Sequence, residues 1–152
     1  MVIVHFNGSG RLVGSSTQNY LLEKTRVVAP PNSERSYHIF YQALSGMGKL
    51  ELSERHLGSI NDFALLTSSK CTQVDELDDV KEWKATLNAM DNLAFEEEEQ
   101  SCILDVVAAV LHLGNVQFTL DTAVAHGDNA AKVLDLGPLQ RAAKLLGAEH
   151  FA

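Results

Sequence analysis

Residues 95–118 read FEEEEQSCILDVVAAVLHLGNVQF, and the order of chemistry along this stretch decides the fold. The carboxylates of Glu96, Glu97, Glu98 and Glu99 complement the positive end of a helix dipole, so a helix starts here. Ile103 to Leu113 are apolar nearly all round, which predicts a central, buried helix with Cys102 inert on it. Gly114-Asn115 predicts a left-handed end, and Val116 to Leu120 an extended exit. The apolar stretch from Cys102 to Leu113 is interrupted by Asp105 and His112 and falls well short of the roughly 18 residues a membrane-spanning helix needs.

Helical spacing extends outward from this element in both directions. Upstream, Asp79 and Glu82 form a capping-box variant ahead of Val80, Trp83, Leu87 and Met90 on one helix face. After Pro30-Pro31, Asn32 or Ser33 is placed to cap a helix bearing Tyr37, Phe40, Tyr41 and Leu44, which Gly46 and Gly48 end. A short helix is expected near Leu50 to Leu57, closed by Gly58. Downstream, Asp121 to Asp128 form a small-residue loop before two closing helices, Asn129 to Leu136 and Pro138 to Leu146, with Pro138 in a first turn and Gly147 past the end. Only the amino terminus differs: Val2 to Phe6 and Arg11 to Ser16 flank Asn7-Gly8-Ser9-Gly10, where Asn-Gly supplies the positive φ of a tight hairpin. The fold class is mainly α (α+β), an amino-terminal β-hairpin followed by a helical body. Beyond Val28 almost every periodic segment has helical spacing, so the hairpin lacks companion strands, and a lone two-stranded ribbon is marginal in water.

The 152 residues are 45% hydrophobic, the size and composition of one globular domain. Twelve basic against twenty acidic side chains give a net charge of -8, which opposes binding to nucleic acid. The start MVIVHFNG has no basic region, apolar run or small-residue cleavage site of a secretory signal, and with only Cys71 and Cys102 a reducing, cytoplasmic compartment is expected.

No string completes a reaction centre. In Gly8 to Ser16, Gly14 is followed by Ser15 where a P-loop needs Lys, and strands lie on both sides, so the glycines read as a hairpin turn. His5, His38, His56, His112, His126 and His150 show no metal-ligand spacing, and His38 and His112 read as hydrogen-bonded core residues. The run Glu96 to Glu99 points round a helix and does not converge on a cation. No GxSxG elbow occurs.

Longer strings carry more information. YLLEKTRVV at Tyr20 to Val28 and SERSYHIFYQ at Ser33 to Gln42 resemble YLLEKSRVV and ERNYHIFYQ of the myosin motor head, in the same order and at similar spacing. VDELDDVKEW at Val74 to Trp83 is similar to that family's VDGIDDAEEF, and Phe95 to Phe118 to its FSxEEQxxIFxILAAILHLGNIxF; AAKLLG at Ala142 to Gly147 fits too. Two departures stand out: Glu96 replaces the family's capping Ser, and Ala94 replaces a family Gly, a mild change unless the position needs a positive φ.

The resemblance implies an internal piece of a motor that couples ATP hydrolysis to movement on actin. Residues 1–28 would be a transducer-like hairpin with its following segment, and residues 29–152 the helical upper fifty-kilodalton subdomain that walls the actin-binding cleft. The family's P-loop, its first switch NxNSSRFG and its second switch DIxGFE are not in this sequence; the first would lie just before Val2 and the second beyond Ala152. ATP and magnesium would therefore be cofactors of the intact parent, with no catalytic, cofactor or metal residue here, and actin, the rest of the head and the cytoskeleton its partners and place. The family's loop four, near actin in the bound head, corresponds to Leu120, Asp121, Thr122, Ala123, Val124, Ala125, His126, Gly127 and Asp128; with two Asp and no Lys or Arg it offers an acidic filament little attraction. The alternative is a truncated, non-catalytic helical module that binds actin or another partner. The apolar side chains of Val2, Val4, Leu12 and Val13 weigh against it, because an independent domain would be expected to blunt that edge.

Overall fold

The structure, a computed structural model, describes residues 1–19, 21–120 and 130–148. Strands β1 (Val2–Phe6) and β2 (Leu12–Thr17) form an antiparallel ribbon, registered from Val2 opposite Thr17 to Phe6 opposite Leu12, with an irregularity between His5 and Phe6. The turn differs from the expected one. Gly10 holds the positive φ, at 77°, and its N–H donates to the Asn7 carbonyl (3.0 Å), while the Asn7 N–H donates to the Arg11 carbonyl (2.9 Å). A turn followed by one left-handed glycine closes the ribbon, a geometry that puts no positive φ on Asn7 or Gly8. Apart from half-buried Ile3, every residue of both strands is exposed.

After the short helix α1 (Lys24–Val28), the chain runs to α2 (His38–Gly46). Neither Asn32 nor Ser33 caps it. Ser33 takes a left-handed φ of 69° and its N–H donates to the Ser69 carbonyl, so the cap position falls to Tyr37, which has no side-chain cap bond. Helix α2 buries Phe40, Tyr41, Ala43 and Leu44 and leaves His38 exposed, contrary to the expected core histidine: His38 is the first residue of the helix, outside the apolar stripe. Helix α2 lies against α5 (Asp79–Asn92), whose Trp83 is buried against Gly46; a Cβ there would overlap the indole, so glycine sets the approach of the two helices. The cap of α5 sits one residue earlier than expected. Asp78 accepts from the N–H groups of Val80 (3.0 Å) and Lys81 (3.1 Å), because the Asp79 carboxylate is engaged elsewhere.

Between these helices stand α3 (Lys49–Glu54), a 3-10 turn at Ile60–Asp62 and α4 (Ala64–Thr67). Helix α6 (Glu97–Gly114) starts at the acidic run, and the Glu99 carboxylate accepts from the Glu96 N–H at 2.9 Å, retaining half of a capping box. Its Leu104, Ala108 and Leu111 join Phe63, Leu66, Trp83 and the α2 stripe in the core, and its Ala109 and His112 are buried as well. The expected all-round burial does not occur: Ile103, Val106 and Leu113 form an exposed stripe, and Cys102 beside it is exposed as well. The helix also ends right-handed, with Asn115 at φ -94° and not in the expected left-handed cap. There the Asn115 amide accepts from the Ala64 N–H (2.9 Å) and donates to the Asp62 carbonyl (2.6 Å), pinning α6 to the start of α4.

The largest departure follows α6. Of the helix expected over Asn129 to Leu136, residues 130–135 are not helical; Ala131–Val133 is strand β4, antiparallel to β3 (Phe118–Leu120), with Phe118 opposite Val133 and Leu120 opposite Ala131. Ala, Lys and Leu favour a helix locally, but three residues gain more from ladder bonds to a waiting strand than from an isolated turn of helix. The last helix α7 (Leu136–Leu145) starts two residues before the expected Pro138 and is capped by Asp135; buried Pro138 in its first turn and Gly147 past its end, at φ 63°, stand as the sequence predicts. It packs on α6 through buried Ala142.

Candidate functional site

Of the expected actin-facing loop, Leu120 ends β3 with its side chain exposed, whereas Asp121, Thr122, Ala123, Val124, Ala125, His126, Gly127 and Asp128 lie outside the described residues. The structure does show the base that carries this loop: the β3–β4 ribbon, with Phe118, Leu120 and Leu134 exposed. The glycine-rich run Gly8 to Ser16 lies in a strand–turn–strand unit and opens no helix, so it presents no row of helix amides to a phosphate. Among the described residues no three His, Cys, Asp or Glu side chains are grouped to hold a metal ion. No helix among them is long and apolar enough to cross a membrane.

His112 is buried, as its place in the apolar run implies. Its Nε2 lies 2.9 Å from the Arg55 carbonyl, which fixes the proton on Nε2, and its ring meets Phe63 edge-on at 5.9 Å between centroids. Burial holds the imidazole below its ordinary pKa, reinforced by the charges of Arg141 and His56 and opposed by the bond to Arg55. This is a structural histidine.

Two buried guanidinium groups were not legible as a pattern. Arg35, 4% exposed, donates from Nη2 to both Asp79 oxygens (3.0 and 2.8 Å) and lies 3.7 Å over the Tyr41 ring, joining the segment before α2 to α2 and α5. Arg55 contacts Asp105 Oδ1 through Nε (2.8 Å) and donates from Nη2 to Ser101 Oγ (2.8 Å), fastening the end of α3 to α6. Only an i+3 or i+4 spacing could have signalled either pair; these partners lie 44 and 46 residues apart. Beside Arg55 a groove of about 290 Å³, lined by Glu51, Glu54, Glu97 and Gln100, is open and polar.

The surfaces, more than any cluster, carry functional meaning. The β1–β2 ribbon presents Val2, Val4, Phe6, Leu12 and Val13 to solvent with open edges, and α6 presents Ile103, Val106 and Leu113. Contiguous apolar surface of this kind marks faces that another body covers.

Comparison with known proteins gives the chain itself a family. The profile described as myosin head (motor domain) matches residues 1–152. The chain is 39% identical to the Myosin-K heavy chain of Dictyostelium discoideum over 96% of its own length and 16% of that protein's. It is 44% identical to the Myosin heavy chain IB of Acanthamoeba castellanii over 76% of its length and 10% of that protein's, and 38% identical to the Unconventional myosin-VIIb of Mus musculus over 98% and 7%. The chain thus spans about a sixth or less of these relatives. Matched from its first residue to its last, the chain belongs to the myosin head (motor domain) family.

Proposed function

We propose that these residues form one wall of the actin-binding cleft in a myosin motor, with the β1–β2 ribbon adding to the head's central sheet. The observation that carries this reading is the family match over the whole chain together with a ribbon whose faces and edges are uncovered. In this reading the intact motor hydrolyses ATP with magnesium and moves on actin filaments in the cytoskeleton. Residues 120–128 are assigned to the filament side by their resemblance to the family's loop four. The glycine run of this chain, closed between two strands, does not suit ATP or its magnesium. Nucleotide binding therefore belongs to head segments outside this sequence, and the 152 residues alone do not turn over ATP.

Phosphate release by the purified chain, with ATP and magnesium and with or without actin filaments, tests that division of labour. No release above buffer is expected. Turnover that persists through stringent purification and scales with chain concentration would place a nucleotide site within these residues and overturn the reading.

A further inference from the structure

The tip of the amino-terminal ribbon combines a reactive dipeptide with a geometry that activates it. Asn7 and Gly8 are both exposed, and a Cβ at Gly8 would meet nothing within 4 Å, so no other part of the chain packs on the side-chain side of Gly8. Glycine also leaves that nitrogen without the steric cover of a side chain. The Asn7 carbonyl oxygen Oδ1 accepts three hydrogen bonds, from Ser9 N–H (3.1 Å), Ser9 Oγ–H (2.7 Å) and Arg11 N–H (2.9 Å). Donors converging on a carbonyl oxygen withdraw charge from its carbon and stabilise the negative oxygen that forms when a nucleophile adds, the same physics as an oxyanion hole. Among the eight asparagines only Asn7 is followed by glycine.

We propose that Asn7 is a site of spontaneous deamidation in the folded ribbon. The Gly8 backbone nitrogen bonds to Asn7 Cγ, and the Cγ–Nδ2 bond breaks; Nδ2 leaves as ammonia, taking up through solvent the proton the Gly8 nitrogen gives up. The resulting five-membered imide is opened by one water. Attack at Cγ restores the ordinary backbone with an aspartate at position 7, and attack at the Asn7 backbone carbonyl carbon gives the isoaspartyl linkage. No oxidant or reductant is involved. The two products differ in consequence. An ordinary aspartate keeps an acceptor for the Ser9 and Arg11 donors and adds one negative charge to the ribbon tip. The isoaspartyl form routes the backbone through Cβ and turns the carbonyl that accepts from Gly10 into a free carboxylate, so the turn that registers β1 on β2 is lost. In a head whose sheet includes this ribbon, the reaction would act as an ageing mark on the strand register.

The test is peptide mapping by mass spectrometry of the full chain incubated at mildly alkaline pH, reading the amide-to-acid mass change and ammonia release. The peptide containing Asn7 should convert several-fold ahead of that containing Asn32. Gly8→Pro should abolish conversion, since a proline nitrogen has no proton to give up, and Gly8, second residue of the turn closed by the Gly10-to-Asn7 bond and not at positive φ, stands where turns favour proline. Ser9→Ala, which removes the 2.7 Å donor, should slow it. An intact Asn7 over a period in which a short peptide of the same sequence converts fully would overturn the proposal, and equal rates for the parent and Ser9→Ala chains would overturn the activating role of the turn.

Discussion

Arg35 Nη2 stands 3.0 and 2.8 Å from the two carboxylate oxygens of Asp79, and this ion pair links the segment ahead of α2 to the first residue of α5. The Arg35 side chain is 2% exposed and that of Asp79 15%, so removing either partner leaves a charge out of water without compensation. Arg35→Ala and Asp79→Ala should each cost about 3–5 kcal/mol in urea unfolding. Replacing both by apolar residues of similar volume should cost much less, and equal losses in single and double variants would show that the pair carries no such coupling.

Ala94 sits at φ 58°, the condition under which losing the family's glycine matters. An L-residue pays roughly 1–2 kcal/mol to hold that conformation, partly offset by the greater freedom glycine has in the unfolded chain. Ala94→Gly should therefore raise stability by about 1 kcal/mol, seen as a higher denaturation midpoint at unchanged slope. A lower midpoint would mean that the left-handed position is not occupied.

Gly46 and Gly114 occupy places where a Cβ would overlap Trp83 and Leu65. Gly46→Ala and Gly114→Ala should each destabilise by about 1–3 kcal/mol through overpacking. Gly14→Ala, in open space on β2, should be nearly neutral and serves as the control.

His112 makes stability pH-dependent with a definite sign. Its folded pKa lies below the unfolded value of about 6.5, so the unfolded chain binds the proton more readily. The contribution is present in full above that value and is lost as pH falls through it toward the folded pKa. Unfolding free energy followed from about pH 7.5 to pH 5.5 should decline on acidification, and His112→Gln should flatten that decline. An unchanged slope in the variant would assign the dependence to other groups.

How far the sequence foretold this depends on the range of each interaction. The start of α6, the Pro138 turn and the Gly147 end are local signals, and they stand where the residues place them. Local signals misled where a distant partner intervened. Strand β4 forms because β3 lies beside it, although Ala130 to Leu136 favour a helix on their own, and the α5 cap moves to Asp78 because Arg35, far upstream, takes Asp79. Cys102, Ile103 and Val106 are exposed for a related reason: a run of apolar residues does not say which of its faces this chain covers. The Arg35 and Arg55 pairs, built across 44 and 46 residues, leave no spacing to read.

If these residues form an actin-side wall of a myosin motor, as proposed, the decisive measurement is actin-activated ATPase of a myosin head in which this chain replaces the corresponding segment. Such a head should fold, hydrolyse ATP and be accelerated by actin filaments. A head that binds and hydrolyses ATP normally but gains nothing from actin would contradict it.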